Sequence, residues 1–331
     1  MSRIRVGLIG CGGIAAGHAQ RLLNIPEAEL GALCDIDPQA FDRLYKRVPG
    51  MPELPTFADY RQMLEAVPLD AVQVLTPHTL HFEQTMDSLK QGLHVLVEKP
   101  MVCTTEHAMA VIDEMHTRKK VVLVSYQRHY QGGFRFIREL LASGSMGEVQ
   151  YVSALQGQDW LKNTRGTWRQ EPELSGGGQM NDSGSHLLDI ILWTTGLEPY
   201  TVHATCENFN APVDINTALS VVCTNGAQLS ISIVGNSAEW REDITIWTEH
   251  GVIYYRNGHM EVKMRGQKEA LKPPGQPDED NPDRNLINAI LGRDTVKSRP
   301  EDALKVIQLT ETAWHSSSVG APVSMSDFLA S

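Results

Sequence analysis

The sequence predicts an α/β domain built on a parallel sheet, followed by an α+β domain with a mainly antiparallel sheet. Up to about Tyr126, short apolar runs alternate with helical stretches, the pattern of βαβ units whose sheet is covered on both faces. From about Thr201, strand-like runs follow one another directly, separated by turn signals such as Asn225-Gly226 and Asn257-Gly258. The length of 331 residues exceeds what one hydrophobic core usually organises. The division is placed at 1–125 and 126–331.

The first strand is "RIRVGLIG", and "GGIAAGHAQRLLN" reads as the helix after it. "ELGALCD" is the second strand. Asp37-Pro38 then opens a helix, with a capping residue followed by proline at the first helical position. "DAVQVLT" and "HVLVEKP" are further strands around the helix "TLHFEQTMDSLKQG", which ends at Gly92. A helix over about Thr105 to Arg118 leads to the strand "VVLVSY". Beyond it, "GEVQYVSALQG" is strand-like and the segment ending at Trp193 is helical. The run from "TVHATCENF" to "MEVKMR" supplies six more strands. A Pro-rich, acidic loop over Leu271 to Asp283 precedes two closing helices, near Pro282–Leu291 and Pro300–Ser316.

A formal net charge of −11 argues against nucleic acid or an anionic membrane as the main partner, since both select a basic face. The five cysteines form no C-x-x-C pair and are odd in number, which reads as free thiols in a reducing cytoplasm. No apolar run reaches transmembrane length. "LIGC" at Leu8–Cys11 imitates a lipoprotein cleavage box. Too few apolar residues precede it, and cleavage would remove the first strand, so it is set aside.

Gly10, Gly12 and Ala15 form G-x-G-x-x-A between the first strand and the first helix, with Gly13 and Ile14 in the same turn. The first glycine permits the tight turn. The second lets the backbone approach a pyrophosphate, and the small third residue permits close helix packing. The helix N-terminus offers N–H groups to the phosphates. Asp35 ends the second strand, where a carboxylate accepts ribose hydroxyls and repels a 2′-phosphate. The expected cofactor is NAD rather than NADP. Asp37, the neighbouring acid, is better explained as a helix cap. Lys99 follows Glu98 at the C-terminal end of a buried strand, where ligands of open α/β sheets lie. By residue type alone it reads as a solvated loop lysine. Thr76 and Pro77 border the same crevice. His78 and His81, at the start of the next helix, are cofactor-side candidates set against surface or capping use.

"SGGGQMNDSGSHLLDIILW" (Ser175–Trp193) is the second focus. On a helix, Asp182, His186 and Asp189 share one face. A phosphate loop would need a strand before the glycines and a Lys or Ser/Thr after them. A metal site would need more than one histidine, so no metal is expected. An acid–base pair needs an imidazole and a neighbour that positions it, and Asp182 with His186 supplies both. Taken alone, the segment also reads as the polar stripe of a half-exposed helix. "QGQDWLKNTRGTWRQEPELSGGG" is rich in hydrogen-bonding groups, with Trp160 and Trp168 interleaved. Tryptophan faces suit sugar C–H surfaces, so both tryptophans, Arg169 and Arg128 are substrate-binding candidates, and Lys162, Arg165 and Arg169 would admit an acidic sugar.

Together, the strand-bound G-x-G-x-x-A, Glu-Lys-Pro at 98–100, "MGEV" at Met146–Val149, G-G-G-x-x-x-D-x-G-x-H-x-x-D and the ending "RPEDALKVIQLTETAWHSSSVGAPV" resemble the glucose–fructose oxidoreductase/inositol dehydrogenase (Gfo/Idh/MocA) family over nearly the whole chain. The resemblance implies a Rossmann domain plus an α+β domain with an open-faced sheet. It also implies hydride transfer from a secondary hydroxyl of a sugar, inositol or related polyol to NAD(P). Lys99 matches the family's active-site lysine, Asp182 its acidic partner and His186 its catalytic histidine. Lys99 and His186 remain interchangeable as the group that moves the proton. The Glu98-Lys99-Pro100 segment resembles one that often carries a cis proline bond. The chain departs from many members at His78, where they carry Asn. Two alternatives stand beside the dehydrogenase reading: redox-neutral glycoside cleavage by oxidation, elimination and reduction, and a non-catalytic dinucleotide or sugar sensor. The open face of the second sheet is expected to be covered by another subunit, in a homodimer or homotetramer.

Overall fold

The computed structural model describes residues 3–267 and 280–330. The Pro-rich loop expected from 271 onward lies, up to residue 279, outside the described residues. The chain divides into two compact units, Met1–Val102 with Glu106–Gln127 and Asp280–Ala303, and Cys103–Thr105 with Arg128–Glu279 and Leu304–Ser331.

In the first unit the order is β1 (Ile4–Ile9), α1 (Ala15–Leu23), β2 (Ala28–Cys34), α2 (Pro38–Arg47), β3 (Thr56–Phe57), α3 (Tyr60–Ala66), β4 (Ala71–Val74), α4 (His81–Lys90), β5 (His94–Val97), α5 (Thr105–Arg118) and β6 (Val122–Val124). The strands pair in parallel in the order β3-β2-β1-β4-β5-β6. This is the doubly wound Rossmann order, whose direction reverses between β1 and β4. Every residue of β4 and β6 is buried, which is why these strands read as unbroken apolar runs. β3, only two residues long, and α3 leave no clear pattern in the sequence. Asp37 caps α2 as expected, its carboxylate accepting from the Gln39 N–H at 3.0 Å.

The second unit and the closing segments comprise α6 (Gly132–Ala142), β7 (Val149–Gly157), α7 (Trp160–Asn163), α8 (Pro172–Ser175), α9 (Gly184–Thr195), β8 (Pro199–Glu207), β9 (Asn216–Cys223), β10 (Gln228–Val234), β11 (Arg241–Thr248), β12 (Gly251–Arg256), β13 (His259–Met264), α10 (Pro282–Ile290), α11 (Pro300–Val319), β14 (Val323–Ser324) and α12 (Met325–Ala330). The second sheet runs β13-β12-β11-β7-β10-β9-β8-β14. Its pairs are antiparallel except β7 with β10, which run parallel because β7 inserts between β10 and β11.

A division into two continuous stretches at 125/126 does not describe the packing of residues 280–303. Leu286 and Ile287 of α10 are fully buried in the same cluster as Leu8, Leu96 and Leu123. The Val124 N–H donates to Ser298 O at 3.1 Å, so the returning chain also satisfies the exit of β6. Burying that apolar face assigns α10 to the Rossmann unit despite its distance in sequence.

Burial alternates along β9 and β10. One face of the sheet (Leu219, Val221, Leu229, Ile231, Ile233) packs with Phe134 and Ile137 of α6 and with the Leu187–Trp193 stretch of α9. The other face is open. Trp247 and Tyr151, Tyr151 and Gln228, and Gln228 and Val222 are partners in register across it. Ile231→Ala on the covered face should therefore cost about 2–5 kcal/mol. Ser230→Ala, one residue away on the open face, should stay within about 0.5 kcal/mol. Chemical denaturation of both variants checks the assignment of faces.

Candidate functional site

One group of candidate residues lies in the Rossmann unit. Gly10 has φ +96°, and a Cβ there would lie 2.8 Å from the Leu75 carbonyl group, so only glycine serves. A Cβ on Gly12 would meet nothing within 4 Å, which leaves the turn open on that side. No side chain caps the N-terminus of α1. An open glycine turn before an uncapped helix start fits a pyrophosphate. Asp35 Oδ2 accepts the Cys11 N–H at 2.7 Å and Oδ1 accepts the Asp37 N–H at 2.9 Å. A carboxylate has about four lone-pair sites, so these two bonds orient it and still leave capacity for hydroxyl donors. Burial pushes the thiols of Cys11 and Cys34 up, the latter to about 12, and keeps them neutral beside this acid.

At the exits of β4 and β5, Thr76 Oγ1 donates to Gln84 Oε1 at 2.6 Å. His78 is buried, its ring edge-on to His81. His81 is fully buried, with Nδ1 2.8 Å from Pro100 O and Nε2 2.8 Å from Thr76 O. Both ring nitrogens face backbone carbonyls, so His81 joins two chain segments and does not present itself to a ligand. Glu98 is likewise buried, and one of its oxygens lies 3.1 Å from His18 Nε2. Lys99 is partly exposed, and the Lys99-Pro100 peptide is cis.

A separate group in the second unit is built on the three glycines. Gly176 ends α8 in the left-handed conformation, φ 64°. A Cβ on Gly177 would strike the Trp314 ring at 2.4 Å, and one on Gly178 would lie 1.9 Å from Asp214 O. The glycines therefore serve close packing and form no phosphate cradle. Asp214 is buried and accepts the N–H groups of Gly178 and Met180, each at 2.9 Å, and Trp314 Nε1–H at 3.0 Å. Burial pushes its pKa up against the pull of these bonds. Neither Asp214 nor Trp314 carries a motif of its own in the sequence. The only signal for them was the glycine triplet itself, which announces that something packs closely there.

The turn held by Asp214 delivers Asp182. Its Oδ2 accepts Trp160 Nε1–H and Arg169 Nε–H, each at 2.9 Å, and the residue is 6% exposed. The Arg169 guanidinium in turn lies 4.5 Å over the Trp168 ring. α9 begins at Gly184, so Asp182 precedes the helix and the expected helical face of three polar residues does not form. His186 sits in the first turn of α9 and is partly exposed. Asp189 is 1% exposed and accepts from His129 Nε2–H at 2.9 Å, while the His129 ring stacks on Trp193. Asp189 thus belongs to a buried hydrogen bond in the core. Trp160, expected as a sugar platform, is buried among Leu161, Val213 and Ile215 and orients Asp182 through its indole N–H. Trp168 is partly exposed. Arg128 pairs with buried Glu242 at 2.6 Å, which accounts for the nitrogen nearest that carboxylate. Among the described residues, no three His, Cys, Asp or Glu side chains are grouped to hold a metal ion.

The sequence matches the model of the oxidoreductase family with an NAD-binding Rossmann fold over residues 4–126, and that of the GFO/IDH/MocA C-terminal domain over residues 134–254. The chain belongs to the Gfo/Idh/MocA family. Among its Gfo/Idh/MocA relatives, the rhizopine catabolism protein MocA of Rhizobium meliloti is 29% identical over 204 residues, covering 60% of this chain and 59% of MocA. D-glucoside 3-dehydrogenase of Escherichia coli (strain K12) is 30% identical over 196 residues, covering 59% of this chain and 55% of that enzyme. The chain therefore matches somewhat over half the length of these relatives. The WlbA dehydrogenase of Bordetella pertussis, solved with NADH and UDP-GlcNAcA, superposes with a TM-score of 0.84 at 21% identity, covering 98% of each chain. That likeness establishes a shared fold.

Because Gly178 has backbone where a side chain would go, Gly178→Ala should cost about 3 kcal/mol or more, the upper range for overpacking. Thermal unfolding of the purified variant measures it, and an unchanged midpoint would contradict the close approach to Asp214.

Proposed function

We propose that this protein is an NAD-dependent dehydrogenase that oxidises a secondary hydroxyl of a sugar, inositol or related polyol to a ketone. The observation that carries this reading is the fixed, buried carboxylate of Asp182 ahead of the partly exposed His186, in a chain whose other unit has the dinucleotide turn of its family. NAD supplies the hydride acceptor. Gly10, Gly12, Gly13 and Ile14 hold its phosphates, and Asp35 receives the ribose hydroxyls. Thr76, Pro77 and His78 flank it.

In this reading His186 takes the hydroxyl proton as hydride leaves carbon. Lys99 donates a hydrogen bond to the oxygen as charge builds there. Lys99 and His186 remain interchangeable as proton acceptor, since either amine or imidazole performs the transfer. Asp182 orients the site and supports positive charge on its partners. Trp160 and Arg169 fix its carboxylate, so the group needs no reorganisation during the reaction. Arg169, stacked on Trp168, offers its outer guanidinium nitrogens to substrate hydroxyls or to a carboxylate.

The open sheet face supports a second proposal, a homodimer or homotetramer through the C-terminal sheet. Tyr151, Val222 and Trp247 stand 36%, 41% and 37% exposed on strands β7, β9 and β11. Exposed large apolar side chains on an open sheet face are commonly covered by another subunit. Light scattering should report a dimer or larger, and a monomer would refute it.

The direct test is anaerobic mixing with NAD and a panel of inositols, aldoses, uronic acids and simple glycosides, following nicotinamide reduction. Steady NADH accumulation with one class supports the dehydrogenase. A single reduction that reverses while glycoside disappears would support redox-neutral cleavage instead. His186→Ala should lower kcat by about 10²–10⁴-fold with NAD binding intact. Unchanged turnover would sink the role given to His186.

A further inference from the structure

His18 lies on α1, three residues past the dinucleotide turn, and is fully buried. Its ring spans two carboxylates. Nδ1–H donates to Asp283 Oδ1 at 2.8 Å and Nε2–H to Glu98 Oε1 at 3.1 Å. Carboxylates accept on both sides, so both ring nitrogens carry protons and the ring is an imidazolium. Asp283, on α10, also accepts from Gln73 Nε2–H at 2.7 Å and pairs with the Arg21 guanidinium. Glu98 Oε2 turns back to accept the Lys99 N–H at 3.2 Å. On the far side of the lysine, Pro100 O faces His81 Nδ1 at 2.8 Å. Two buried histidines therefore hold the residues on either side of Lys99.

We propose that His18 is a positioning residue for Lys99, fixing Glu98 on one side of the lysine while Asp283 fixes His18. The proposal rests on the reading of Lys99 as a substrate-side donor. Of the cations near these two carboxylates among the described residues, Arg21 pairs with Asp283 and Lys99 follows Glu98 in the chain, while His18 contacts both. The arrangement is the positioning of a functional group by a locked partner behind it.

Titration agrees with the geometry. Burial alone would push the His18 pKa down, but the charges of Asp283 and Glu98 and their hydrogen bonds raise it to about 9. Burial would raise the Glu98 carboxyl, but His18, then Lys99 and Ser125, hold it down at about 2. The groups facing this pair are Asp283 and Arg21, the Gln73 amide, Lys99 and the Ser125 hydroxyl. The stabilisation from His18 is whole below its ordinary value of 6.5 and is lost as pH rises through about 9. That from Glu98 is present above its ordinary value of 4.5 and is lost as pH falls through about 2. Both ions are in place at neutral pH.

The test compares His18→Gln, Glu98→Gln, the double variant and Lys99→Met, using the substrate class found with NAD. His18→Gln should lower kcat on the order of 10²-fold, the cost of an ångström-scale misplacement, with the KM for NAD and the Kd for NADH unchanged. The double variant should be no worse than the weaker single variant, because both substitutions break one link. An inactive Lys99→Met beside a fully active His18→Gln overturns the positioning role alone. An active Lys99→Met overturns the reading of the lysine and the proposal with it. A loss confined to KM, or additive losses in the double variant, also overturns it. A readout that needs neither substrate nor variant is the histidine-selective ¹⁵N spectrum of the unaltered protein. It should contain a ring with both nitrogens protonated up to about pH 9, and a spectrum in which every ring is neutral by pH 8 contradicts the arrangement.

Discussion

A carboxylate removed from water must be met by a cation or by hydrogen-bond donors, and the interior of the Rossmann unit carries two of them. Glu98 and Asp283 lie far apart in sequence and share one buried imidazole. Leaving either ion unmatched in the interior would cost several kcal/mol, so the three side chains stand or fall together. This requirement brings the helix after the dinucleotide turn, the exit of β5 and the returning helix α10 to one point. The apolar burial of Leu286 and Ile287 holds α10 against the sheet, and the charged network sets its register.

In the second unit Asp214, Asp182 and Asp189 meet the same problem with different donors. Asp214 is satisfied by two backbone N–H groups and an indole, and what it produces is the shape of a turn. Asp182 is satisfied on one oxygen by an indole and a guanidinium, which leaves a fixed carboxylate ahead of His186. Asp189 is paired with His129 inside the core. Three acids on neighbouring stretches of chain thus acquire three different tasks from what surrounds them. The indole donors, Trp160 and Trp314, are polar at one edge only, so each packs into an apolar cluster and still supplies a hydrogen bond.

The parts of the fold legible in the sequence were those encoded by local pattern. The alternation of apolar runs with helices, the capping Asp37-Pro38 and the G-x-G-x-x-A turn all depend on residues near one another in the chain. The antiparallel series from β8 to β13 was legible through its turn residues and its two-residue period. Less legible was β7, whose parallel pairing with β10 depends on strands some seventy residues further along the chain. The placement of α10 with the Rossmann unit was invisible for the same reason, since an amphipathic helix does not state which core it will join. Trp160 was misread because composition announces an aromatic ring but not whether its face or its edge meets solvent.

The sequence by itself therefore determined the fold class, the family and the G-x-G-x-x-A turn, and it marked Asp35, Lys99, Asp182 and His186 as candidates, because each rests on residue type and spacing within a short segment. Tertiary structure alone decided which donors meet each buried carboxylate, that the glycine triplet packs against Asp214 and Trp314, and that His18 stands behind Glu98. Those outcomes turn on desolvation and hydrogen-bond satisfaction, and these exist only once segments remote in the chain have been brought together.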